Sequence, residues 1–353
     1  MIEAADTDAA PGTTIELQPL SEPFGSPVLI TPDGGGLSDS SSVDSIDDQS
    51  ADVQYAPVSE TGFWFLSTAN SPQKFRQTCP RFCPAISRYE QCAGFRRSDL
   101  AELSGSLEPG VPVCIVIHGS FVDTPSACRE SVGVWNWLRS AGCGDRMQMI
   151  YFNWPSFRPM TPLVAADVNM LGHRAARNGY YLAELIQFIP PECPICLMGH
   201  SHGTRVVASG LHLLAGGVVE GVRHPTSRAH GRSIRTVFSA SAIDHHWLCP
   251  GKKYDRALFS TECVLNLHNC VDPALRVYSM RLPFIAARPL GLNGLSNRDR
   301  RRLGSVGRRI VDYDVSREVG GRHLWPNYFH NPRLAMVVRN YVYFPDRAAM
   351  VSR

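Results

Sequence analysis

The chain has 353 residues, 44% of them apolar, enough to bury a large core. Its formal net charge of +3 hides an asymmetry: residues 1–60 carry twelve acids and no Lys or Arg, leaving 20 acids against 35 basic residues, so a segment near −12 precedes a body near +15. No run approaches the roughly twenty apolar residues of a membrane span, no charged-then-apolar leader opens the chain, and eleven cysteines, mostly inside apolar runs, argue against a disulfide framework.

Residues 1–60 are rich in Ser, Gly, Pro and Asp and lack the periodicity that would offset ordering entropy. They are expected to form a disordered acidic tail, and residues 61–353 a single domain, in a cytoplasmic protein without a nucleic-acid partner. Gly62 to Ser67 reads as a first strand, and the Pro, Cys and Arg-containing segment up to Arg97 as an irregular excursion. Within it, Cys79, Cys83 and Cys92 match no standard zinc spacing.

Val111 to Ile117 is an almost continuous apolar run ending in His118-Gly119, the pattern of a strand buried on both faces. Similar runs recur at Met147 to Phe152, Ile195 to Met198, Thr236 to Ala240, Val264 to Leu267 and Ile310 to Tyr313. Helical stretches alternate with them: Ser131 to Leu138, Asn169 to Phe188, Arg205 to Leu214, and a last one opened by Asn331-Pro332 as cap and first-turn proline. The alternation predicts an α/β fold, a doubly wound and mostly parallel sheet with helices on both faces. Pro283 to Arg309, rich in arginine from Arg298 onward, interrupts the alternation and reads as a surface insertion. Cys193-Pro194-Ile195-Cys196 has redox spacing, but it runs into a strand rather than a helix N-terminus that would activate a thiol.

The strand at Ile195 to Met198 leads into Gly199-His200-Ser201-His202-Gly203 and then a helix. A serine between two glycines at a strand-to-helix turn is the pattern of a nucleophile elbow. A serine hydroxyl needs a base to accept its proton, a carboxylate to orient that base, and amides to hold a developing oxyanion. The carboxylate candidates are Asp272, after the strand Val264 to Leu267, and Asp244, after the preceding strand; Asp272 is preferred because it lies one strand later. The base candidates are His323, in the loop after the last strand, and His330, beside a helix cap; loop placement favours His323. The amides of His202 and Ser120 are the expected oxyanion donors, with Phe121 as the alternative to Ser120. His118 reads as a loop-bracing histidine. His200 and His202 diverge on a tight turn, and Asp244-His245-His246 lacks further ligands, so neither cluster implies a metal. Trp154 and Trp325, each near a predicted catalytic loop, read by default as core or rim aromatics, with the shaping of an apolar substrate cleft as the alternative.

His118-Gly119, Trp154-Pro155-Ser156, Gly199-His200-Ser201-His202-Gly203 and Asp272-Pro273-Ala274-Leu275 resemble the ordered landmarks of the α/β-hydrolase superfamily. The similarity is to an esterase/lipase-like branch and covers residues 61–345. It implies Ser201 as nucleophile, Asp272 as acid and His323 as base; a small acyl compound is the expected substrate, with no cofactor and no metal. His202 stands where that branch has Met, and Ser120 where it has an aromatic residue. The interval from His323 to Tyr328 is longer than its usual spacing. The activity implied is carboxylic ester hydrolysis, with thioester or amide cleavage, or a non-catalytic binding module on the same scaffold, as alternatives.

Overall fold

The computed structural model describes residues 62–75, 80–157, 164–225, 231–278 and 288–345; the acidic segment, Cys79 and the start of the 283–309 segment lie outside them. The strands in chain order are β1 (Gly62–Ser67), β2 (Ala85–Glu90), β3 (Gly94–Ser98), β4 (Val113–Ile117), β5 (Gln148–Asn153), β6 (Ile195–His200), β7 (Val218–Val219), β8 (Val222–Arg223), β9 (Ile234–Ser239), β10 (Cys263–His268) and β11 (Ile310–Asp314). All but the small β7–β8 hairpin form one sheet, ordered β11-β10-β9-β6-β4-β5-β1-β2-β3. From β11 to β1 every neighbouring pair is parallel, and β2 and β3 extend the edge antiparallel.

The fold is therefore α/β with a large, mostly parallel central sheet. Side chains alternate across the pleat: Ile115, Ile117, Ile150 and Leu197 face one core layer, whereas Val116, Tyr151, Cys196 and Met198 face the other. The first layer, which also takes Leu103 of the short α1 (Leu100–Ser106), is covered by α3 (Val164–Gln187) and α4 (Gly203–Leu214), through Leu171, Leu182, Val206 and Leu211. The second is covered by α2 (Thr124–Ser140) and the last helix, Pro332–Val342, through Val134, Leu138, Leu334 and Val338. Each face thus needs continuous apolar strands, which is why these runs do not alternate with polar residues.

Two sequence expectations are corrected. The segment up to Arg97 contains the antiparallel pair β2–β3. Its Ser, Arg and Glu content hid these strands because few of their residues are apolar: Tyr89 and Phe95 pack on Phe63 at ring-centroid distances of 4.7 and 6.0 Å on one face, and on the other Ile86 is buried and Arg88 lies over Trp64. Of the 283–309 segment, the described part is no loose surface loop. Asn297–Leu303 is a helix opened by a Ser296–Asp299 capping box, which organises the arginine cluster. Leu290 and Leu303 are buried, and Asn266 of β10 donates to the Leu290 carbonyl at 3.2 Å.

Candidate active site

The turn after β6 is built by contacts that exclude side chains. A Cβ on Gly203 would stand 2.4 Å from the Ile117 carbonyl oxygen and 2.6 Å from that of His118, and one on Gly199 would stand 2.8 Å from the Gly203 backbone. The bend leaves Ser201 left-handed, at φ +51°, a strained state for a residue with a Cβ that persists only when its surroundings hold it. They do so through the backbone. Ser201 N–H donates to the Ser239 carbonyl at 2.9 Å, and its own carbonyl accepts from Thr204 Oγ1 at 2.6 Å, from Thr204 N at 3.1 Å and from Ala242 N at 3.3 Å.

The helix α4 begins directly behind this serine, with His202 at its N-cap and no side chain capping it. Its first amides carry the positive end of the helix dipole toward the serine. The loop after β4 closes the other side: a Cβ on Gly119 would lie 3.1 Å from the Ser201 Cβ. Beyond it, Ser120 Oγ and His202 Nδ1 are 2.6 Å apart, joining the two predicted donor loops through their side chains. Phe121, the alternative donor, commits its N–H to the Ser156 carbonyl at 2.9 Å.

His323 follows β11 and a short turn, Ser316–Val319, and reaches back to the serine. Its Nε2 is 3.1 Å from Ser201 Oγ, and its Nδ1 is 2.7 Å from Asp272 Oδ2. Because a carboxylate only accepts, Nδ1 carries the hydrogen, which leaves Nε2 to accept from the serine hydroxyl. Asp272 is fully buried and held from behind, its Oδ1 accepting from Leu275 N at 3.1 Å in the first turn of the helix Pro273–Tyr278. The chain order serine, acid, histidine converges on one point at the C-terminal ends of the parallel strands.

The rival candidates sit elsewhere. Asp244 is buried in the loop after β9, bridged to Pro289 and with its carbonyl accepting from Trp247 N, and the carboxylate on His323 is that of Asp272. His330 is exposed at the end of the turn Pro326–Phe329, its ring edge-on to Phe329. Trp154 and Trp325 do not shape a cleft: they are 0% and 2% exposed, because both serve as floor beneath the loops. Among the described residues no group of His, Cys, Asp or Glu is arranged to hold a metal ion, and His245 is bonded instead to Asp299 at 2.5 Å. Cys83, Cys92, Cys193 and Cys196 are free thiols.

That floor was not visible in the sequence. Five rings stack in succession: Trp154 on His118 (5.8 Å between centroids, 10° between planes), His118 on Tyr151 (5.9 Å, 18°), Tyr151 on Trp325 (6.5 Å, 25°), and Trp325 on His200 (5.3 Å, 11°). The column draws from β4, β5, β6 and the loop bearing His323. His118 has Nδ1 2.8 Å from the Gly119 carbonyl oxygen and Nε2 2.7 Å from the Asn153 side-chain amide, and its burial pushes its pKa down to about 4. Beneath the column, burial raises the Glu130 carboxyl to about 7 although the Tyr151 hydroxyl donates to it at 3.1 Å. Asn269, also unforeseen, donates from Nδ2 to the Gly320 carbonyl at 2.7 Å and ties down the start of the histidine loop. Only partnership across the fold gives Tyr151, Glu130 and Asn269 a role, so no local signal marks them, whereas His118 reads as a loop brace from the sequence.

No helix among the described residues is long and apolar enough to cross a membrane. Compared with known proteins, the chain matches no family model and no curated sequence.

Proposed function

We propose that this protein is a serine hydrolase of the α/β-hydrolase type that cleaves a carboxylic ester through an acyl-enzyme. One observation carries the reading: a left-handed serine at a strand-to-helix bend stands 3.1 Å from a histidine nitrogen whose other nitrogen is 2.7 Å from a buried carboxylate. Those distances meet the reach required of a nucleophile, its base and the group orienting that base.

In this reading Ser201 Oγ adds to the ester carbonyl carbon as its proton passes to His323 Nε2. The carbonyl oxygen becomes an oxyanion, facing the amides of His202 and Ser120 and the start of α4. The ester C–O bond then breaks, and His323 returns the proton to the leaving alkoxide. Water repeats the sequence on the acyl-enzyme, giving it a hydroxyl and releasing the acid, with Ser201 regaining its proton. Asp272 stays ionised, holding the ring in the tautomer with hydrogen on Nδ1 and stabilising the imidazolium that forms.

A fluorophosphonate probe tests the reading. Its phosphorus forms a bond to Ser201 Oγ, fluoride leaves, and His323 takes the proton. The full chain is expected to label at Ser201 and Ser201→Ala to lose the label. A folded wild-type protein that does not label would refute catalysis and leave a binding module.

A further inference from the structure

We propose that His200 is a positioning residue for His323, holding the backbone of the base in register with the nucleophile that follows His200 in the chain. The inference rests on the hydrolase reading of Ser201, His323 and Asp272. His200 Nε2 lies 2.8 Å from the His323 carbonyl oxygen. Since a carbonyl only accepts, Nε2 carries the hydrogen and donates it.

The ring has no freedom to turn away. It is 4% exposed, lies flat on Trp325, and meets the edge of Tyr328 at 5.6 Å and the His323 ring at 5.3 Å. On its far side, a Cβ added to Gly119 would stand 2.9 Å from His200 Nδ1, so the loop beside the nucleophile closes that face. Burial, reinforced by the charge His323 acquires, pushes the His200 pKa well below its ordinary value. A ring kept neutral has a single N–H, and here that hydrogen has one acceptor.

The geometry of the base explains what this bond does. Asp272 holds the His323 side chain and Asn269 holds the loop at Gly320, where φ is +64°. Between those two ties run Gly321, Arg322 and the His323 backbone, and glycine offers the chain many conformations. The bond from His200 removes that freedom at the base itself. Because His200 is joined by a peptide bond to Ser201, it references the base to the nucleophile's own strand. Displacement of a reacting group by about 1 Å costs on the order of 100-fold in rate.

The test uses the full chain with His200→Phe, which keeps a flat stacking ring without the donor, and His200→Gln, which restores an N–H on a flexible amide. Three quantities are read: the rate of fluorophosphonate labelling, kcat and KM on a short p-nitrophenyl ester, and the low-field proton resonance of His323 Nδ1–H. His200→Phe is expected to slow labelling and kcat by about 100-fold with KM little changed, and to broaden the His323 resonance. His200→Gln is expected to recover at least about tenfold of that loss. A His200→Phe protein with labelling and resonance like those of wild type overturns the inference. Should His200→Phe not fold, His200→Gln decides alone, and a labelling loss as large as that expected of the phenylalanine variant overturns it. Wild-type protein that fails to label refutes the hydrolase reading and takes the role of His200 with it; wild-type labelling matched by His200→Phe refutes the role of His200 alone.

Discussion

The elbow around Ser201 and the loop around His323 meet at two hydrogen bonds, from Ser201 Oγ to His323 Nε2 and from His200 Nε2 to the His323 carbonyl, but are otherwise held by different means. The elbow is locked by main-chain groups and by the absence of side chains at Gly199 and Gly203. The histidine loop is held by side chains from other elements: Asn269 on the Gly320 carbonyl, His200 on that of His323, and Asp272 on the His323 ring. In the hydrolase reading, the nucleophile is encoded in five consecutive residues, whereas its base depends on partners scattered across the chain. The contrast predicts that damage to the elbow destabilises the fold, while damage to the loop detunes chemistry before stability.

The largest effect breaks the loop at its functional atom. His323→Ala is expected to lower kcat by about 10⁵-fold or more while the protein still melts cooperatively, and His330→Ala to leave kcat within about twofold; both are read from initial rates on a p-nitrophenyl ester. Equal losses in the two variants would mean that the base was misassigned.

Next comes the elbow itself. In Gly203→Ala the new methyl group would meet the Ile117 and His118 carbonyl oxygens, and backbone atoms within a sheet yield little. Urea denaturation should show a loss of about 3 kcal/mol. A loss below about 0.5 kcal/mol would show that the elbow is more yielding than its contacts imply.

The last effect sharpens the comparison from beneath, where Glu130 supports Tyr151 and so the column under the loop. The folded protein binds the Glu130 proton more tightly than the unfolded chain, because its carboxyl is raised to about 7. This stability is present at acid pH and is lost as pH rises through about 7. Glu130→Gln should therefore match wild type near pH 4, below the ordinary carboxyl value of 4.5, and exceed it by about 3 kcal/mol at pH 8, as measured by denaturation at the two values. His118 slopes the other way, its contribution being lost as pH falls below its ordinary value of 6.5 toward about 4, so the difference between Glu130→Gln and wild type isolates Glu130.

The parallel strands were legible because a strand buried on both faces must be apolar at every position, as in Val113–Ile117 and Ile195–His200. β2 and β3 escaped notice because edge strands carry charges that interior ones cannot, and their aromatic residues Tyr89 and Phe95 find their packing partner, Phe63, only across the sheet. The arginine-rich stretch from Arg298 reads in the sequence as part of a surface insertion, yet Ser296 and Asp299 supply a helix cap just before it. Trp154 and Trp325 were visible as aromatics, but whether an aromatic faces a cleft or a core depends on what lies above it.

The sequence by itself determined the apolar runs, the glycines that permit a tight turn at Ser201 and the order of serine, acid and histidine, since each of these is a property of neighbouring residues. Tertiary structure decided that Asp272 and His323, rather than Asp244 and His330, stand at the serine, and that five rings support them. Ser201 and His323 are 122 positions apart in the chain yet 3.1 Å apart in space. A contact of that span is set by how the whole sheet twists and where each loop leaves it, which no local run of residues encodes.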